Sequence, residues 1–275
     1  TSTERSRRCV AQSHSSQRNN ESKILIIMEY KAFKEEEIPY GILSQYGLTQ
    51  EMIEDLPMSV GEAIMDGRRS PVLPIRIKDE DGNVITSRTR FMLCRQDDGG
   101  VDVLFYPQLQ RCDIDQYSKE QQDALREGKA IVAQSPDDGN TKCFVQIDMD
   151  TNQVMYVPTP VIGRNLRSLM DSFRLTSAEI QMIQDGDPVT FMESDEMVTA
   201  GIDLNERTGI RMSTGDVGRW RSQQDCQLDK YNFGIYGCWI RDDKGNLDYI
   251  NEEDYTEDLW EEQQKVISRN SGMKR

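Results

Sequence analysis

The chain has 275 residues, enough for one large or two small domains, and its 36% hydrophobic and 29% charged residues are typical of a globular protein. Its formal net charge of -15 disfavours a protein that coats DNA, because neutralising phosphates requires a basic face. The longest apolar run, Ile24–Met28, is far shorter than the roughly 20 residues of a membrane-spanning helix, so we expect no membrane contact.

A single histidine, His14, excludes the commonest catalytic sites that work at neutral pH. Because His14 is the one histidine and stands in a Ser/Arg/Asn-rich segment, Ser-His-Asp, Cys-His and His-rich metal sites are not expected. The six cysteines contain no CxxC pair, which favours reduced thiols and a cytoplasmic location. Glycine motifs for phosphates or dinucleotides do not occur. We therefore expect no catalytic residue, no metal ligand and no cofactor, although hydrolysis by two of the many acids stays open.

The chain divides into a leader, three units and a C-terminal region. Residues 1–22 hold one large apolar residue, Val10, and carry local positive charge, so they are predicted to be a disordered basic leader. Within 23–38, the Ile24–Ile27 run fits a buried strand as well as a helix. The predicted units span 23–115, 116–174 and 175–214, and the aromatic-rich C-terminal region spans 215–275.

Each unit has a short helix with the same start and stop signals. A hydroxyl residue followed three positions later by Glu or Gln is a capping box, and a glycine suits the left-handed position after a helix. The capping residues lie 59 and 58 residues apart, which indicates a repeat. The predicted starts are Ser59, Ser118 and Thr176, and the predicted ends are Gly67, Gly128 and Gly186.

Extended runs follow each glycine and turn at clusters of Asp, Asn and Gly, which is typical of β-hairpins. The predicted first strands span 71–78, 129–134 and 187–192, and the predicted hairpins span 77–84, 147–154, 202–210 and 240–247. A further hairpin is predicted over 91–106, and the acidic start of 251–262 followed by basic residues predicts a C-terminal helix. We therefore predict an α+β fold of three repeated short-helix-plus-β-hairpin units, with an extra hairpin and a C-terminal helix.

Asp148, Asp150 and Asn152 have the opening spacing of a calcium loop. Gln153 and Thr159 stand where that loop needs glycine and glutamate, so a hairpin turn is predicted instead.

Two sets of residues are candidates for contacts. Arg68 and Arg69 follow a predicted helix end, where they could bind an anion or the last helix carbonyls. The C-terminal region contains eight of the twenty aromatic residues, among them Tyr236 and all three tryptophans, and they form either an accessory core or a partner surface. The candidate partner contacts are Arg219, Trp220, Arg221 and Trp239.

The repeated units resemble uncharacterised domains of accessory proteins encoded by conjugative transposons of Bacteroidetes. The resemblance rests on the segment from Tyr46-Gly-Leu-Thr49 to Pro71, on the helix ends at 125–129 and 183–187, and on Phe144–Asp148. Such proteins are sometimes linked to type IA topoisomerases. The resemblance covers roughly residues 40–214 and implies no catalytic residue.

We therefore hypothesise a non-enzymatic interaction or adaptor module of a mobile genetic element that recruits a protein partner, either basic or DNA-processing. The alternative is a nucleic-acid-handling accessory protein. In that reading the Arg-rich leader and Arg219-Trp220-Arg221 contact DNA, or the acidic body mimics its charge.

Overall fold

The computed structural model describes residues 32–78, 81–135, 139–222 and 228–272. The predicted leader and the Ile24–Ile27 segment lie outside these residues. Within the described residues, eight α-helices accompany twelve strands, which confirms the predicted α+β class. The helices are α1 (Tyr40–Gln45), α2 (Gln50–Glu54), α3 (Met58–Met65), α4 (Lys119–Arg126), α5 (Thr159–Phe173), α6 (Ser177–Gln184), α7 (Val217–Ser222) and α8 (Glu257–Gly272).

The strands form four antiparallel sheets of three strands, each ordered as in the chain. The first contains β1 (Leu73–Lys78), β2 (Val84–Arg95) and β3 (Val101–Pro107); the second contains β4 (Ile131–Gln134), β5 (Lys142–Asp148) and β6 (Gln153–Pro158). The third contains β7 (Val189–Glu193), β8 (Glu196–Ile202) and β9 (Ile210–Thr214); the fourth contains β10 (Tyr231–Phe233), β11 (Gly237–Arg241) and β12 (Leu247–Asn251). The hairpin predicted over 91–106 is β2–β3, and β5–β6 and β8–β9 are its counterparts.

The helix signals follow from local hydrogen bonding. The hydroxyls of Ser118 and Thr176 accept from the amides three residues later, which confirms both capping boxes. The three predicted glycine stops also occur: each glycine has a positive φ, and the next residue donates its N–H to a carbonyl five positions earlier. The bonds are Arg68 to Ala63, Lys129 to Ala124 and Asp187 to Met182.

One predicted helix start is wrong, and one long helix was not predicted. The start at Ser59 is wrong, because α3 begins at Met58 and the carbonyl of Pro57 already accepts from Val60 at 2.8 Å. Sequence reasoning also missed α5, the 15-residue helix before α6. Its signal was an apolar stripe with helical spacing, and the four residues that form it, Ile162, Leu166, Leu169 and Phe173, are buried in the structure.

The fourth sheet packs on the first. Trp239 and Leu247 belong to the same buried cluster as Leu43, Ile64 and Phe91. The backbone of Leu247 donates to the carbonyl of Val72 at 2.9 Å, next to β1. The C-terminal region therefore completes the core of the first unit.

The first and second sheets meet at Asp148. This carboxylate is 1% exposed, and it accepts from Arg69 Nη1 at 3.0 Å and from Arg90 Nη1 at 2.8 Å. Arg90 also donates through Nε to the carbonyl of Ser70 at 2.6 Å. Burial tends to raise the pKa of Asp148, but the charges of Arg90 and Arg69 outweigh it and hold the pKa below its usual value. A charged and hydrogen-bonded group therefore joins the two units.

Candidate partner-binding surface

The β10–β11 hairpin presents two large apolar residues at its tip. Its last strand pair is Phe233 with Cys238, and the N–H of Gly234 donates to the carbonyl of Gly237 at 2.8 Å. Ile235 and Tyr236 remain between the glycines, and we refer to them as the hairpin tip. Ile235 is 80% exposed and Tyr236 is 45% exposed. An exposed apolar pair is unusual at a turn, where Gly, Asn and Asp dominate.

Asp55 fixes the backbone of the hairpin tip from the first unit. The residue follows α2 directly and is buried. Its Oδ1 accepts from the N–H of Ile235 at 2.6 Å, and its Oδ2 accepts from the N–H of Tyr236 at 2.9 Å. Two successive backbone amides bind an anion well, and hydrogen bonds to a carboxylate are stronger than neutral ones. These two hydrogen bonds, which we refer to as the clamp, hold the backbone of the tip, while both of its side chains remain exposed.

Aromatic side chains support this clamp. The hydroxyl of Tyr249 donates to Oδ2 of Asp55 at 2.5 Å, and Trp239 donates through Nε1 to the carbonyl of Met52 at 2.9 Å. The rings of Trp239 and Tyr249 lie 5.0 Å apart. Burial and the hydrogen bond to Asp55 raise the pKa of Tyr249, so its hydroxyl stays protonated and donates. Trp239 is therefore part of the support and has no exposed surface.

A second set of aromatic residues continues from the same hairpin, and we refer to Phe233, Tyr255 and Trp260 as the aromatic row. The ring of Tyr255 meets Phe233 edge-on at 6.0 Å and Trp260 edge-on at 5.0 Å. Phe233 and Tyr255 are partly exposed, and Trp260 on α8 is exposed. The hairpin tip and the aromatic row thus place apolar surface on the fourth sheet and on α8.

The residues that the sequence singled out as partner contacts differ in exposure: both tryptophans are buried and both arginines are exposed. Trp220 on α7 is buried, donates through Nε1 to the carbonyl of Arg211 at 3.1 Å, and lies 4.0 Å from the Arg211 guanidinium. Neither Trp220 nor Trp239 offers surface to a partner in this structure, because each ring completes a core. Arg219 and Arg221 are exposed on α7.

The two arginines predicted to contact an anion already face carboxylates of this chain. Arg69 pairs with the buried Asp148 and stacks 3.8 Å from the centre of the Tyr106 ring. The Nε atom of Arg68 lies 3.5 Å from Oε2 of Glu206. Both therefore join the first unit to later units.

Sequence reasoning missed Asp55 and Ile235, and it named Tyr236 only among the aromatic residues of the C-terminal region. Asp55 follows a short helix and has no local signal, because its partners lie 180 residues or more along the chain. The segment Gly234-Ile235-Tyr236-Gly237 does carry a signal, since two apolar residues stand between glycines where a turn is expected.

In 32–78, 81–135, 139–222 and 228–272, no three His, Cys, Asp or Glu side chains come together so that they could hold a metal ion. Over the same residues, none of the helices combines the length and apolar character needed to cross a membrane.

The architecture defines an α+β protein of four three-stranded sheets with a clamped apolar hairpin tip. A family model described as "Protein of unknown function (DUF4099)" matches residues 33–117, which include Asp55 and end before α4. The expected resemblance to an uncharacterised family is thus confirmed for this segment. No curated protein and no solved structure matches the chain.

Proposed function

We propose that this protein is a non-enzymatic interaction or adaptor module that recruits a protein partner through the hairpin tip and the aromatic row. The observation that carries the proposal is the clamp. Asp55 fixes two successive amides of a turn whose side chains, Ile235 and Tyr236, stay exposed.

Rigid presentation favours binding. Ordering a loop on association costs free energy, and a loop that is already ordered avoids much of this cost. The carbonyl of Tyr236 also accepts from the N–H of Glu252 at 3.0 Å, so both sides of this residue are held. Tyrosine and tryptophan are enriched in protein interfaces, since each combines a large apolar ring with a polar group. The exposed parts of Tyr236 and Trp260 fit this use.

The setting in a mobile genetic element and the cytoplasmic location are parts of the proposal. The first rests on the resemblance of the repeated units to transposon-encoded accessory domains, and the second rests on the absence of CxxC pairs. A basic or DNA-processing partner would suit the net charge of -15.

The test is quantitative capture from a lysate of the native host. The double variant Ile235→Ser/Tyr236→Ser removes the tip side chains and leaves the backbone clamp in place. We expect the captured partner to fall at least about tenfold, which corresponds to one strong apolar anchor.

A matched control is Met192→Ser/Met197→Ser. These two exposed residues face each other across the β7–β8 hairpin, so this variant removes similar apolar surface elsewhere. Unchanged capture by the tip variant, or equal loss in both variants, would contradict the proposal.

The alternative proposal, nucleic-acid handling, is supported by the exposure of Arg219 and Arg221 on one short helix. Binding to single- or double-stranded DNA should then weaken steeply with salt. It should also fall in Arg219→Ala/Arg221→Ala and vanish when residues 1–22 are deleted. Absence of binding at low salt would exclude direct contact and leave charge mimicry.

A further inference from the structure

The second sheet has an edge whose backbone groups point outward. The N–H of Ser135 donates to the carbonyl of Thr141 at 2.7 Å, in register with the β4–β5 ladder. Hydrogen-bonded pairs alternate along an antiparallel ladder, so Ala133 also bonds to β5, whereas Val132 and Gln134 direct their N–H and C=O groups away from it. Across the described parts of the chain, no backbone hydrogen bond from outside the ladder reaches Val132 or Gln134.

A cleft of about 450 Å³ lies between this edge and the start of α4. Its size falls within the range of roughly 300–1,000 Å³ that is usual for ligand-binding clefts. The described residues that line it are Gln116, Tyr117, Gln121, Val132, Ala133, Gln134 and Lys142. Amide side chains both donate and accept hydrogen bonds, which suits the backbone and polar side chains of a bound peptide.

The charge of the cleft differs from that of the whole chain. Lys142 is the one charged side chain among the described residues of the lining, and it is exposed. The described lining therefore carries one positive charge and no negative one, in a chain of net charge -15. This favours an occupant whose carboxylate lies near Lys142, at the last residue of β4, where Gln134 pairs with Lys142.

We propose that the edge of β4 binds an extended, acidic peptide segment, which adds to the second sheet as a fourth strand. Val132 and Gln134 bond its backbone through their outward N–H and C=O groups, and Lys142 pairs with its carboxylate. Exposed edges accept strands in this way in many peptide-binding proteins. The inference rests on the proposed function in one respect, namely that the segment belongs to the recruited partner; a partner with a basic surface elsewhere can carry such an acidic segment.

The probe is a displayed library of short random peptides, selected against the whole chain and measured by fluorescence polarisation. We expect enriched peptides to alternate β-branched and polar residues and to contain an acid. Val132→Pro removes the outward N–H without removing a bond to β5, so binding should weaken at least about fivefold. Val132→Thr keeps the N–H and should bind within about twofold of the parent, since the backbone donor is unchanged.

Charge reversal gives a second test that does not alter the backbone. Lys142→Glu should weaken the enriched peptides, and Lys142→Arg should not. The tip variant Ile235→Ser/Tyr236→Ser should bind these peptides normally, so loss of host partner capture and loss of peptide binding are distinguishable. The inference would be overturned if no peptides were enriched. It would also be overturned if Val132→Pro bound the peptides as well as Val132→Thr, and Lys142→Glu bound them as well as Lys142→Arg.

Discussion

Replacing Asp148 with asparagine should destabilise the protein strongly, because the carboxylate neutralises two arginines between the first and second sheets. The substitution keeps the shape of the side chain and removes its charge. Arg69 and Arg90 are then left mostly buried, with side chains 9% and 12% exposed, and without their shared partner at 3.0 and 2.8 Å. Removing one partner of a buried ion pair costs roughly 3–5 kcal/mol. Arg90 keeps Asp150 at 3.0 Å, so we expect about 3 kcal/mol.

The assay is urea unfolding followed by circular dichroism. The comparison is valid when the slope of the unfolding free energy against urea concentration is the same in the parent and the variant. A loss of about 3 kcal/mol is a large share of the roughly 5–15 kcal/mol typical of folded domains. Asp150→Asn is the matched control, because Asp150 contacts the same Arg90 from the same turn and is 46% exposed. We expect it to cost less than about 1 kcal/mol. Equal losses in the two variants would refute the argument that burial of the Asp148 pairs decides their contribution.

Three further predictions concern the protonation of Asp148, the Asp55 clamp and the cap of α6. The pKa of Asp148 is lowered in the folded protein, so its contribution to stability is present above about pH 4 and is lost as the pH falls through the folded pKa. The difference in unfolding free energy between the parent and Asp148→Asn should therefore shrink below about pH 4. A difference that stays constant with pH would contradict this. Asp55→Asn should cost about 2 kcal/mol in urea unfolding and weaken partner capture, whereas the exposed Asp254→Asn should do neither. Thr176→Ala should cost about 1 kcal/mol by removing the cap of α6, and Thr176→Ser, which keeps the hydroxyl, should restore most of it in the same assay.

Some features of the fold followed directly from local patterns. The capping boxes at Ser118 and Thr176 involve residues three positions apart, so neighbours in the chain specify them. The Ser59 box failed for a local reason too, because Pro57 precedes a helix that has already begun at Met58. A segment can therefore match the capping-box motif although its helix begins two residues before the predicted position.

The candidate site was much less accessible to sequence reasoning. Ile235 and Tyr236 stood in a segment with an unusual composition for a turn, and that signal was available. No such signal marked Asp55, because the chain has 48 acidic residues and nothing in the sequence distinguishes this one. Its role depends on two amides and a hydroxyl brought to it from the other end of the chain.

By itself, the sequence determined the α+β class, the short helices that stop at Gly67, Gly128 and Gly186, the hairpins that follow them and the C-terminal helix. These features depend on backbone preferences and on hydrogen bonds within a few residues. Only the tertiary structure decided that Trp239 is buried against the first unit and that Asp55 clamps the hairpin tip. The physical reason is that burial and long-range hydrogen bonds depend on which surfaces meet, and partners such as Asp55 and Tyr249, 194 residues apart, meet only in the folded chain.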